Sequence, residues 1–149
     1  MAPRFSYQRR VAFGDTDAMG VTHHANYLHF CEEARVHWMR EKGLSKTHFP
    51  QSDRVLAVLQ YGMKHLKPST FEDLLRVELQ VRRIGLKIHF QYAIYKDDVR
   101  IAEAETLHIP VDKELRPTRP NPEFLTRLEH ETWIETWLSS SFVSPRPPP

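Results

Sequence analysis

The sequence predicts an α+β domain in which one long central helix is wrapped by a five-stranded antiparallel sheet. Three observations predict it. Apolar residues follow helical spacing in one long early segment and switch to strict alternation after residue 54. The alternating runs are separated by short polar or glycine turns, which makes neighbouring strands antiparallel. A sheet with one apolar face needs a cover, and the single long helix is the cover available.

The elements follow in order. Phe5, Tyr7, Val11 and Phe13 alternate with polar residues, which predicts a first strand over 5–13. Residues 14–25 have no period and contain Gly14 and Gly20, which reads as a loop. From Asn26, apolar residues fall at Tyr27, Phe30, Cys31, Ala34, Trp38 and Met39, spaced for about four helical turns. Asn26 suits the N-cap and Gly43 the stop. A polar loop runs to Asp53. Val55, Ala57, Leu59, Tyr61 and Met63 then share one side of a strand. Val77, Leu79 and Val81 mark the next, and Leu86, Ile88, Phe90, Tyr92 and Ile94 the one after. Ile101, Leu107, Ile109 and Val111 mark the last, with Glu103 and Glu105 breaking the same parity. Long strands leave edges to protect, which favours dimerisation by edge pairing. Residues 120–138 read as a weak helical end, and 139–149 as a Ser- and Pro-rich disordered tail. The expected division is therefore a domain over 1–138 and a tail over 139–149.

Composition narrows the function classes. At 149 residues the chain fits one domain with a real core. A net charge of +2, with basic residues scattered among acids, gives no nucleic-acid footprint. The lone Cys31 allows no intrachain disulfide. The first residues lack an apolar signal-peptide core, and the longest apolar run, Val55 to Leu59, is too short to span a bilayer. The expectation is a soluble cytoplasmic protein.

The chemistry concentrates in residues 13–27, where Asp15, Asp17, His23 and His24 precede the long helix. Asp17 has two readings. It can be a turn aspartate bonded to its own backbone. It can also be a nucleophile or general base acting on a carbonyl polarised by the helix start, where unpaired N–H groups and partial positive charge gather. Asp15 carries the same alternatives, the turn being favoured. Adjacent histidines cannot share a metal from a regular helix, and His29 lies five residues from His24, the wrong spacing, so no metal or other cofactor is expected. Three basic clusters could meet a phosphate: Lys64-His65-Lys67, Arg82-Arg83 with Lys87, and Arg116 with Arg119.

Asp15-Thr16-Asp17-Ala18-Met19-Gly20-Val21-Thr22-His23-His24-Ala25-Asn26-Tyr27, followed by Glu32-Glu33-Ala34-Arg35, resembles the signature of hotdog-fold acyl-CoA thioesterases. The nearest groups are the YbgC-like proteins and the 4-hydroxybenzoyl-CoA thioesterases. The resemblance spans roughly residues 5–130. It implies Asp17 as the catalytic carboxylate and His24 as the residue whose backbone N–H polarises the thioester carbonyl. It implies Tyr27 and Glu32 at the substrate side, and Arg82 with Arg83 join them as candidate phosphate contacts. It also implies a homodimer or homotetramer with sites between subunits, acting on acyl-CoA or acyl-ACP. Met19 departs from the family's usual small residue and bears on the pocket mouth, and the Thr22-His23 pair departs from a more apolar one and bears on acyl preference. A non-catalytic acyl-CoA-binding regulator is the rival class, but such regulators usually carry a DNA-binding extension, and no basic helix-turn-helix pattern occurs in this sequence. A dehydratase of the same fold would need a histidine-glycine motif on the helix, and none occurs.

Overall fold

The computed structural model describes residues 4–44 and 46–142. Strand β1 (Phe5–Arg10) leads through a 3₁₀ turn at Phe13–Asp15 to helix α1 (His24–Glu41). Strands β2 (Val55–His65), β3 (Leu74–Ile84), β4 (Lys87–Lys96) and β5 (Val99–Val111) follow, then helix α2 (Pro122–Glu129). All pairings are antiparallel, and the sheet order is β1-β3-β4-β5-β2. The five-stranded sheet and the long helix agree with the expected class. No helix among the described residues is long and apolar enough to cross a membrane.

The helix buries the predicted stripe: Tyr27, Phe30, Cys31, Ala34, Trp38 and Met39. These pack against Leu75, Val77, Leu79 and Val81 of β3 and Ile88, Phe90, Tyr92 and Ile94 of β4 in one core. Trp38 meets Phe90 and Phe124 edge-on, at ring separations of 5.7 and 5.8 Å. Gly85, at φ +61°, permits the tight β3–β4 hairpin.

Several local expectations change. Helix α1 starts at His24, not after Asn26, because His23 is the cap: its Nδ1 accepts the Ala25 N–H at 3.1 Å. The Asn26 amide instead donates to the Asp15 carbonyl at 2.7 Å. Strand β1 ends at Arg10, and Phe13 stands exposed on the 3₁₀ turn. In β2 a bulge between Val58 and Gln60 reverses the alternation. Leu56 and Val58 therefore share a face with Tyr61 and Met63, and Leu59 is the unpaired bulge residue. On β5 the side facing the helix carries Ala102, Ala104, Thr106 and His108, opposite Ile94, Tyr92, Phe90 and Ile88. Small residues make room there for the large rings of β4. The glutamates belong to the outer face.

The C-terminal end also differs. Only Pro122–Glu129 is helical, capped by the Asn121 side chain. The segment from Trp133 to Phe142 lies on the outer face of the sheet. Gln80 and Gln91 bond the backbone of Ile134 and Leu138. Glu105 accepts from His89 at 2.9 Å, the Ser140 hydroxyl at 2.7 Å and the Ser141 N–H at 2.7 Å. Burial pushes the Glu105 carboxyl up, but these three donors outweigh it and hold the group below the usual carboxylate range. Residues 139–142 are thus docked, where a disordered tail is expected, and 143–149 lie outside the described residues.

His108 gives a testable consequence. It is fully buried, and its Nδ1 has no partner among the described residues. Burial, then repulsion from Arg35 and His89, pushes its pKa down from 6.5 to about 3. The folded chain therefore binds fewer protons than the unfolded chain across that interval. Stability is full above pH 6.5 and declines as pH falls toward 3. The expected loss is about 1.4 kcal/mol per pH unit from this group. Urea unfolding of wild type and His108→Gln between pH 7 and pH 5 checks it. The variant should show the shallower pH dependence, and equal slopes would refute the assignment.

Candidate active site

The loop between β1 and α1 is built on its own backbone. Ala12 N–H donates to Asp15 Oδ2 at 2.8 Å, and Arg9 reaches the same oxygen at 3.1 Å. Arg9 also grips Glu33 of α1 at 2.9 Å, and Tyr7 donates to Glu33 at 2.8 Å. Burial and this bond to Glu33 together push the Tyr7 hydroxyl up to about 12. Asp15 is therefore a turn residue tied by charge to the helix, and Glu33 takes the ion-pair role.

Asp17 sits at the tip. Its N–H donates to the Val21 carbonyl at 2.9 Å, and its carbonyl accepts from Gly20 at 3.0 Å. Gly20 closes the turn at φ +83°, a conformation that favours glycine. One carboxylate oxygen, Oδ1, accepts the Met19 N–H at 2.8 Å. The other has no protein partner among the described residues and is open to a reactant.

The loop returns into the start of α1. The His24 N–H makes no bond among the described residues, since the cap serves Ala25 and the His23 carbonyl takes Asn26. It is a free donor at the positive end of an 18-residue helix. The His24 ring stacks on His23 at 4.2 Å, and both are exposed. His65, at the end of β2, packs edge-on against Tyr27 at 5.1 Å. Burial, then the nearby His24, lowers its pKa.

A buried chain of hydroxyls holds this assembly. Tyr27 Oη and Thr22 Oγ1 each lie 2.7 Å from Ser69 Oγ. The Ser69 carbonyl accepts the Thr22 N–H at 2.8 Å, and Val21 bridges Thr70. Ser69 belongs to the β2–β3 connection, 47 residues beyond Thr22. The departure at Thr22 thus has a structural role: its hydroxyl is buried against Ser69. Tyr27 is likewise buried, with its hydroxyl on the same serine.

Ser69 ties Tyr27 to Thr22 of the loop that carries Asp17, and of the basic clusters only Lys64-His65-Lys67 has a member there, His65 against Tyr27. Arg82 and Arg83 lie elsewhere. Strand β3 starts beside Val11 and carries them about 30 Å along to the opposite hairpin. Arg82 is buried, donating to His89 at 3.1 Å beneath the Trp133 ring, and Arg83 bonds the Gly85 carbonyl. Glu32 is exposed beside His29 and lines a separate cavity. Sequence reasoning missed Ser69. A Pro-Ser-Thr turn reads only as a connector, and nothing local marks its partners. Among the described residues no cluster of metal-ligating side chains occurs.

A sequence profile described as the thioesterase-like superfamily matches residues 11–128. A 1,4-dihydroxy-2-naphthoyl-CoA hydrolase of Thermosynechococcus vestitus is 32% identical over 124 residues, covering 81% of this chain and 85% of that protein. The acyl-CoA thioesterase YbgC of Haemophilus influenzae is 31% identical over 102 residues, covering 67% and 75%. Among solved structures, a hypothetical protein from Aquifex aeolicus aligns with TM-score 0.78 at 31% identity, covering 83% and 98%. A 1,4-dihydroxy-2-naphthoyl-CoA thioesterase from Synechocystis aligns with TM-score 0.77 at 24% identity, covering 85% and 96%.

The clamp predicts a coupling. Ser69→Ala should cost about 1–3 kcal/mol by stranding two buried hydroxyls. Thr22→Val should cost less, and the double variant should cost less than the sum. Urea denaturation of the four proteins measures the cycle. Strict additivity would show that the serine does not link the loop to the helix.

Proposed function

Because the chain belongs to the thioesterase-like superfamily, we propose that it hydrolyses acyl-CoA thioesters through Asp17 and the start of α1. The observation that carries this reading is an open carboxylate oxygen in the loop that enters α1, together with an unpaired N–H on the first residue of that helix. A thioester carbonyl accepts the His24 N–H, which steadies the oxyanion as the tetrahedral species forms. Asp17 attacks the carbonyl carbon, the C–S bond breaks, and coenzyme A leaves as its thiolate. Water then opens the mixed anhydride, releasing the acid and restoring the carboxylate. In the alternative route Asp17 takes a proton from water, and that water attacks. Both routes need the same two groups. The exposed His24 ring and His65, which packs on Tyr27, flank the start of α1, and solvent water supplies the proton to the leaving thiolate. Acyl-ACP is the alternative substrate carrier, read by the exposed Lys64 and Lys67.

A second copy completes the reading. Strand β2 is an edge of the sheet and exposes Val58, Leu59 and Tyr61. An apolar free edge of this kind pairs readily with another strand. A homodimer joined there would set the His65 end of β2 beside the subunit boundary.

Thiol release from a panel of acyl-CoAs tests the reaction. Asp17→Asn should lose about 10²–10⁴-fold in kcat, the range for a removed acid–base group. Full turnover by that variant would exclude Asp17 as the reacting carboxylate.

A further inference from the structure

The segment after α2 crosses the outer face of the sheet along a single row. Gln80 of β3, Gln91 of β4, Glu105 of β5 and Gly62 of β2 are successive cross-strand partners. The segment meets each in turn. The Gln80 amide donates to the Ile134 carbonyl at 3.1 Å and accepts the Ile134 N–H at 2.9 Å. The Gln91 amide donates to the Leu138 carbonyl at 3.2 Å. Glu105 takes the Ser140 hydroxyl and the Ser141 N–H. Gly62 receives the Phe142 ring: a Cβ built on this glycine would lie 3.3 Å from Cζ and 3.6 Å from Cε1. Cations pin the first half, with Arg82 4.1 Å from the Trp133 ring centre and Arg4 3.7 Å from that of Trp137.

The direction of this crossing carries information. Strand β2 is an edge of the sheet, so the row runs from the interior to an open boundary. The last described side chain of the segment stands at that boundary, half-buried. Beyond its bulge, β2 offers a second copy two different faces. On the helix side it exposes Tyr61, in line with Val58. On the outer side its own residues are Gln60, Gly62 and Lys64, none of them a large apolar side chain. The aromatic ring on that side is delivered by the C-terminal segment. Glycine weakens a strand and marks a close approach, and here the approach is that ring. A hollow of about 200 Å³ opens beside it, with Gly62 and Lys64 of the edge strand in its wall.

We propose that the C-terminal segment is an assembly element, in which Phe142, seated on Gly62, packs against β2 of a second copy of this chain on the outer face of the joined sheet. The proposal rests on the β2-edge homodimer read above and does not depend on the reaction. Paired strands lie ~4.8 Å apart, so a ring lying on Gly62 is one strand spacing from the partner's β2. A two-fold interface repeats every contact, so one boundary carries two such rings. Val58 and Tyr61 then hold the joined edges from the helix side, and Phe142 holds them from the other.

Sedimentation velocity of the full-length chain over a concentration series tests it. Phe142→Ala should raise the dimer dissociation constant about tenfold or more. Gly62→Val should do the same by displacing the ring, although valine is the better strand residue. The double variant should add less than about twofold to the worse single one, because both act through one contact. Phe142→Leu should restore most of the association, and circular dichroism should show the fold unchanged throughout. Tyr61→Lys tests the edge by itself, since a lysine there opposes strand pairing. If Tyr61→Lys dissociates the dimer and Phe142→Ala does not, the edge reading stands and this inference falls. Tighter association in Phe142→Ala shows that the segment shields the edge from pairing, which also overturns it. A wild type that is monomeric at every concentration, or an assembly untouched by Tyr61→Lys, removes the edge reading and this inference together.

Discussion

Burial of one face of α1 against β3 and β4 is the constraint on which the rest of the molecule depends. The helix can lie across the sheet only because β5 presents Ala102 and Ala104 where β4 presents Tyr92 and Ile94. Once it lies there, its first turn is held at one end of the sheet. The loop before it must cross the ends of the strands to reach it. That crossing carries the Asp17 turn into the residues that enter the helix, where the Asp17 N–H meets the Val21 carbonyl. Packing of a hydrophobic helix thus fixes the position of the polar loop in which the reaction is proposed.

Two networks translate that packing into fixed geometry. The Glu33–Arg9–Asp15 ion pairs fasten the loop's first half to the side of the helix. The Tyr27–Ser69–Thr22 hydroxyls fasten its second half to the β2–β3 connection. Asp17 lies between two anchors of different chemistry. One is partly solvent-exposed and weakens with salt. The other is buried and does not. On the far side of the sheet, the segment from Trp133 to Phe142 turns Gln80, Gln91, His89 and Glu105 into interior residues. Their polarity reads as a solvated face in the sequence, yet it serves to bind the chain's own C-terminal segment.

The helix stripe and the loop motif were legible because their information is local. Tyr27 through Met39 repeat at three and four residues, and the carboxylate and histidine pair sit within one short stretch. Each β2 residue after Leu59 was placed on the wrong face relative to the strand's first half, because a bulge leaves no mark in apolar spacing. Ser69 was invisible because its partners lie 42 and 47 residues away and serine is ordinary in turns. Arg82 and Arg83 looked like a phosphate cluster by composition. Only the length of β3 shows that they occupy the other end of the sheet.

The hydroxyl clamp also bears on the order in which the molecule is made. Thr22 and Tyr27 leave the ribosome well before Ser69, and β5, which pairs with β2, follows later still. A nascent chain that ends at Gly43 carries the whole loop motif and its Glu33–Arg9–Asp15 ion pairs, yet it lacks Ser69 and the strands that cover the helix. The later strands must close over long sequence separations, a slow step for any chain. The loop is therefore locked late in synthesis. A fragment of the protein can carry the entire motif and still lack the Ser69 contacts that hold it.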